Sequence, residues 1–231
     1  MTPAIAAGHG FFVTGTDTGV GKTLVSTALV RALRARGIDA AGMKPVETGV
    51  GPAGPLDALA LREAAGGADP LEDVCPERFA LPAAPSVAAE EEGRTVDLDR
   101  IRAAFERLRA RHVCVIAEGA GGLLVPLAPG LDMADLARDL GLPLLVVTRA
   151  ALGTINHTRL TLEAIAARGL ALAGVVISHA GGPLSAADAR NLEALRRLLG
   201  PRLVGEVPPL PRGVPAPADA FALERLLALL G

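Results

Sequence analysis

Apolar residues recur along this chain in two alternating rhythms. The short, nearly unbroken runs GFFVT (10–14), IDAAGMK (38–44), VCVIAE (113–118), LPLLVVT (142–148), ALAGVVIS (171–178) and RLVGEVP (202–208) read as strands. Such continuity marks strands covered on both faces. Between them TLVSTALVRALRARG (23–37), LDRIRAAFERLRARH (98–112), MADLARDLG (133–141), TINHTRLTLEAIAARG (154–169) and AADARNLEALRRLLG (186–200) repeat Leu, Ala and Ile at helical spacing. Several of these end at glycine, a usual helix stop. The alternation predicts an α/β fold, a mainly parallel sheet flanked by helices on both faces, with ligands at the carboxyl ends of the strands. Residues 50–85 are richer in Gly, Pro and Ala, with one short helix around LDALALREAAG, and are expected to lie over that end. No linker or internal repeat divides the chain, so residues 1–231 are read as a single domain.

Composition narrows the partners. Lys and Arg number 23 against 25 Asp and Glu, which gives no broad positive field for nucleic acid or an anionic membrane. Small-molecule chemistry is favoured. The two cysteines are Cys75 and Cys114, and the second lies inside an apolar run, so a buried thiol is expected rather than a disulfide. The opening MTPAIAAGHGFFV lacks a basic segment and ends in the first strand, so it does not read as a signal peptide. No apolar run has transmembrane length, and a soluble, cytoplasmic protein is the expectation.

The first strand runs into GTDTGVGKT (15–23), and a helix follows at once. That is the setting of a P-loop: backbone N–H groups of a glycine-rich turn surround phosphate oxygens, a helix N-terminus adds positive potential, Lys22 reaches the β- and γ-phosphates, and the Thr23 hydroxyl ligates Mg²⁺. The spacing is a variant, because Thr16 stands where the common pattern has its first glycine. One hydroxyl holds Mg²⁺ weakly, so a carboxylate at a strand end is expected. Glu118 fits, closing a buried strand and preceding the small residues Gly119, Ala120 and Gly121. Asp57 opens an Ala/Leu helix, where it can serve as a cap or as a metal ligand; the residues alone leave both open.

The second strand ends in GMKPVETG, which puts Lys44 at a strand tip beside the phosphate loop and Thr48 within reach of a substrate. His9, His112, His157 and His179 are scattered and form no evident set with Ser, Cys or Asp. A nucleophile that arrives ionised needs no histidine base.

GTDTGVGKT, KPVETG, DALAL, EGAGG, GTINH and GEVP occur in this order, and over nearly its whole length the chain resembles the dethiobiotin synthetases. The resemblance implies a P-loop NTPase fold and a homodimer that closes the cyclic urea of dethiobiotin from 7,8-diaminopelargonate, CO₂ and ATP. It implies that Gly19, Val20, Gly21, Lys22, Thr23 and Leu24 bind ATP, with Thr23, Asp57 and Glu118 on Mg²⁺, and that Gly119, Ala120 and Gly121 border the nucleotide. Lys44 is the implied catalytic lysine beside Lys22, and Thr48 the implied substrate contact. Gly153, Thr154, Ile155 and Asn156 would bind the substrate carboxylate across a dimer interface, while Pro208, Pro209 and Leu210 would border the base. Ser178 and His179 stand where the family commonly has Asn-Asp, and APS (84–86) where it often has Ser-Pro-His. A serine hydroxyl donates to or accepts from any base, so weak base selectivity is expected and other nucleoside triphosphates become candidate co-substrates. The rival is a partition- or division-type P-loop switch ATPase; such proteins carry an extra lysine early in the loop, where this chain has Thr16, Asp17 and Thr18.

Overall fold

The computed structural model describes residues 10–181, 184–208, 210, 214, 216, 217 and 219–230. β1 (Gly10–Gly15) leads into α1 (Lys22–Ala35) and β2 (Ala40–Met43). Then come β3 (Val46–Thr48), α2 (Leu56–Ala64), α3 (Leu71–Val74), β4 (Glu77–Phe79) and α4 (Pro85–Glu91). α5 (Leu98–Arg111), β5 (Cys114–Gly122), β6 (Pro126–Ala128), β7 (Leu131–Asp132) and α6 (Met133–Asp139) follow. The chain continues through β8 (Leu144–Arg149), α7 (Thr154–Ala167), β9 (Leu172–Ser178), α8 (Ala186–Leu199), β10 (Leu203–Val207) and α9 (Leu223–Leu227).

Six strands form one sheet in the order β10-β9-β8-β1-β5-β2, and every pairing in it is parallel. These are the six runs predicted as strands. Neighbouring side chains of β1 enter opposite cores: Phe11 and Val13 join Val25, Leu29 and Leu33 of α1, whereas Phe12 joins Ile101, Phe105 and Leu108 of α5 and Leu195 of α8. Both phenylalanines are fully buried. Burying each such side chain contributes roughly 1.5–3 kcal/mol, so a sheet apolar on both faces is stable only when helices cover both. None of the described helices is long and apolar enough to cross a membrane. Cys75 and Cys114 are buried free thiols, and burial pushes both pKa values up to about 12.

The stretch between β2 and α5 is more regular than its composition suggested. Besides α2 it holds the one-turn α3 and the parallel pair β3–β4, elements too short to show a period. Nor does it only overlie the strand ends. α2 packs on α1 and β2, and a Cβ at Gly42 would lie 2.8 Å from Leu61 Cβ, so β2 admits the helix only because it carries glycine there.

At the end of α5, His112 ties three segments together, its Nδ1 lying 3.0 Å from Asp39 Oδ1 and its Nε2 3.1 Å from Asp69 Oδ1. Arg34 faces Asp39, and Arg111 faces Asp69 and Asp73. Burial alone would lower the imidazole pKa, but the two carboxylates outweigh it and the pKa rises. A raised folded-state pKa contributes stability that is complete below the unfolded value near 6.5 and is lost as pH climbs through the folded value. His112→Ala should therefore cost about 1 kcal/mol near about pH 5.5 and less near about pH 9. Denaturant melts at the two pH values check this; an equal loss at both would exclude a protonated His112.

Candidate functional site

In the loop between β1 and α1, Thr16 N donates to Val147 O and Thr18 N to Asp17 Oδ1, whereas the N–H groups from Gly19 to Leu24 meet no acceptor among the described residues. Gly19 and Gly21 have φ of 73° and 93°, the left-handed region that glycine enters without strain. Gly21 caps α1, no side chain accepts the first-turn N–H groups, and that turn holds no acidic residue. An uncapped, buried helix start suits an anion. Gly19, Gly21, Lys22, Thr23 and Leu24 line one cleft of about 350 Å³. On its far wall stand Lys44 after β2, Thr48 of β3, Asp57 of α2 and Glu118, Ala120 and Gly121 of β5. Strands that are neighbours in the sheet thus bring together residues that are distant in sequence. Val20 and Gly119 do not line the cleft: Val20 is fully buried in the core under α1, and a Cβ at Gly119 would meet the Phe12 ring at 2.9 Å. The buried Val20 side chain anchors the loop to the core, and glycine at 119 lets β5 pass the ring.

The centre of the cleft is a charge cluster. Lys44 Nζ donates to Asp57 Oδ2 at 2.8 Å and to Glu118 Oε1 at 2.7 Å, and Thr23 Oγ1 donates to the same Glu118 oxygen at 2.8 Å. Burial would lower the Lys44 pKa, but Glu118 and Asp57 outweigh it and hold the ammonium above the usual lysine range. For Lys22, burial and then the nearby Lys44 lower the pKa, with the carboxylates acting against them. Asp57 is also desolvated, yet Lys44 draws its carboxyl below the usual range. Glu118 has no exposure at all, and its Oε2 has no hydrogen-bond partner among the described residues. A buried carboxylate oxygen without a partner is costly unless a ligand takes it. With the Thr23 hydroxyl and the Asp57 carboxylate it makes a set of hard oxygen donors, which fits Mg²⁺.

Gly153, Thr154, Ile155 and Asn156 open α7 and line a different cleft, of about 470 Å³, with Leu152, Leu160 and Asn191. Its helix start has no side-chain cap either, whereas α5, α6 and α8 are capped by Asp97, Asp132 and Ser185. Within one chain, then, Thr48 and the α7 start belong to separate clefts.

The remaining candidates lie at the ends of β9 and β10. Ser178 is fully buried, its Oγ accepts from Ala180 N at 3.3 Å, and a Cβ at Gly21 would meet that oxygen at 2.3 Å. His179 Nε2 is 2.6 Å from Glu206 Oε1, and Arg196 grips the same carboxylate. Ser178 thus supports the phosphate loop, and His179 is bound to β10. Pro208 and Leu210 lie just past β10; Pro209 falls outside the described residues, as does His9.

Two residues of the site were not singled out from the sequence. Glu47, buried in the cleft wall, accepts from the backbone N–H groups of Asp57 and Ala58. Thr148, at the end of β8, brings its hydroxyl within 2.5 Å of Thr154 Oγ1 and 2.8 Å of Thr158 Oγ1, pinning the start of α7 to the sheet. The E of KPVETG was in view for the first; a threonine within an apolar run carried no signal for the second.

A parallel sheet with a phosphate loop after its first strand, facing a Lys/Asp/Glu cluster in which Lys44 and Glu118 are buried, defines a P-loop nucleoside triphosphate-dependent protein. The MinD cell division protein of Aquifex aeolicus superposes with a TM-score of 0.56 over 97% of this chain and 98% of that one at 14% identity, which is a likeness of fold alone. A family model described as an AAA domain matches residues 9–216. The ATP-dependent dethiobiotin synthetase BioD of Anaeromyxobacter dehalogenans strain 2CP-C is 57% identical over 190 residues, covering 80% of this chain and 85% of the relative. That of Aromatoleum aromaticum is 47% identical over 214 residues, covering 91% and 95%. This chain belongs to the ATP-dependent dethiobiotin synthetase family.

Proposed function

We propose that this protein closes the ureido ring of dethiobiotin from 7,8-diaminopelargonate, CO₂ and ATP, releasing ADP and phosphate. The observation that carries this is the meeting of two lysines, Lys22 and Lys44, with Asp57 and Glu118 in one cleft whose wall has no histidine among the described residues. Such a site is built to bring anions together. One amine takes up CO₂ and loses a proton to give a carbamate. A carbamate oxygen attacks the γ-phosphorus as the bond to ADP breaks, and the other amine then attacks the carbonyl carbon of the mixed anhydride, expelling phosphate and losing a proton. Lys22, held by α1, lies against the β- and γ-phosphates. Lys44 faces the carbamate and the transferring group, stabilising charge that builds up between two anions. Thr48 borders the bound diamine. Thr23, Asp57 and Glu118 would hold Mg²⁺, which supplies charge neutralisation on the phosphate oxygens when bound.

Two features support a homodimer with the site at its interface. The α7 start is uncapped and so favours an anion such as the substrate carboxylate, yet it lines a separate cleft from Thr48. Leu152 and Leu160 beside it are 72% and 56% exposed, an apolar surface suited to a second copy of the chain. An amide analogue of the diamine acid should accordingly bind about tenfold or more weakly than the acid, since a helix start offers little to a neutral group. Calorimetry of the two ligands measures this, and similar affinities would remove the carboxylate from α7.

The deciding experiment is phosphate release from ATP with diamine and bicarbonate supplied together and singly. Release is expected only with both, because the nucleophile exists only then. Equal release without diamine would favour a switch ATPase.

A further inference from the structure

α2 begins after Pro55, whose side chain accepts no hydrogen bond, so its first-turn N–H groups need an acceptor from elsewhere. Glu47 on β3 provides it. One carboxylate oxygen accepts from Asp57 N at 3.0 Å and the other from Ala58 N at 2.9 Å, while the side chain is almost wholly buried. A negative group at a helix start is also favoured by the helix dipole. Both oxygens are thus committed to consecutive peptide groups, one of them the peptide of Asp57 itself. The Asp57 side chain is 41% exposed, so packing does little to fix it, and it nevertheless meets Lys44 Nζ at 2.8 Å. The backbone that carries it is the one Glu47 holds.

We propose that Glu47 is a positioning residue for the metal and phosphate site: it fixes the first turn of α2 so that the Asp57 carboxylate stays directed at Lys44 and at the place Mg²⁺ takes. This rests on the function proposed above. A side chain that orients a ligating group commonly affects metal affinity about 10–100-fold when removed, although it never touches the metal. A capping residue with no such role would change stability and leave metal affinity alone.

The probe is Mn²⁺ with ADP on the full chain, with free Mn²⁺ followed by electron paramagnetic resonance and stability by thermal melting. Glu47→Ala is expected to weaken Mn²⁺ binding about tenfold, as is Asp57→Asn, and the double variant should bind no more weakly than Asp57→Asn alone, because Glu47 acts only through Asp57. Glu47→Gln, which keeps one acceptor oxygen and serves if the alanine variant does not fold, should fall between wild type and Glu47→Ala. Wild-type affinity in the Glu47 variants beside a weakened Asp57→Asn would overturn the proposal alone, as would losses that add in the double variant. Unchanged affinity in Asp57→Asn would overturn it together with the metal role of Asp57.

Discussion

Lys44→Ala is expected to lower kcat by about 10²-fold or more, the scale of losing one preorganised charge donor, with a smaller effect on ATP binding. The same substitution strips Glu118, which is fully buried, of the cation 2.7 Å away. Removing one partner of a buried pair costs roughly 3–5 kcal/mol, so the variant should also melt lower. The two effects separate when Lys44→Met combined with Glu118→Gln, which removes the stranded charge, is compared with Glu118→Gln alone, since that carboxylate also belongs to the metal site: stability should return, and the rate should stay well below that of the single Glu118→Gln variant. Steady-state phosphate release and thermal melts on the three proteins provide the check. A kcat that recovers along with stability would make Lys44 a structural cation rather than a catalytic one.

The second large effect is expected at Gly21. An alanine there would put Cβ 2.3 Å from Ser178 Oγ and 3.0 Å from Ala180 Cβ, at a φ of +93° that L-residues rarely adopt. The left-handed conformation costs about 1–2 kcal/mol, and the clash displaces the loop from β9; a shift of order 1 Å at a phosphate site is worth about 10²-fold in binding or rate. Gly19→Ala is the natural control. Its φ is +73° and a Cβ there meets nothing within 4 Å, so it carries the strain without the clash, and a loss of about tenfold is expected. Adding Ser178→Gly to Gly21→Ala should recover part of the affinity by removing the facing oxygen. Calorimetry with ADP measures all four proteins. Equal losses at Gly19 and Gly21, or no recovery in the double variant, would take Ser178 out from under the loop.

The sequence by itself determined the strands, the layers and the phosphate loop. Each of the six sheet strands is an apolar run of its own, and GTDTGVGKT is a contiguous stretch whose glycines, lysine and threonine act through their own backbone and side chains. Local chemistry of that kind leaves its mark in local spacing. The family was legible as well, because six short motifs in a fixed order carried it. Asp57 shows where that legibility ended: cap and metal ligand look alike beside an Ala/Leu helix, and only the fold placed its carboxylate on Lys44 while assigning the capping to Glu47 from another strand. Ser178 stands where the resemblance implies a base-side residue, and its packing against Gly21 was not legible in the sequence. The short β3, β4 and α3 were invisible because three or four residues show no period, and their existence depends on the sheet edge they lean against. What only the tertiary structure decided is which distant side chains share one buried volume. Parallel neighbours β1, β5 and β2 carry their ends into a single low-dielectric cleft, where Lys44 and Glu118 must pair to be buried at all.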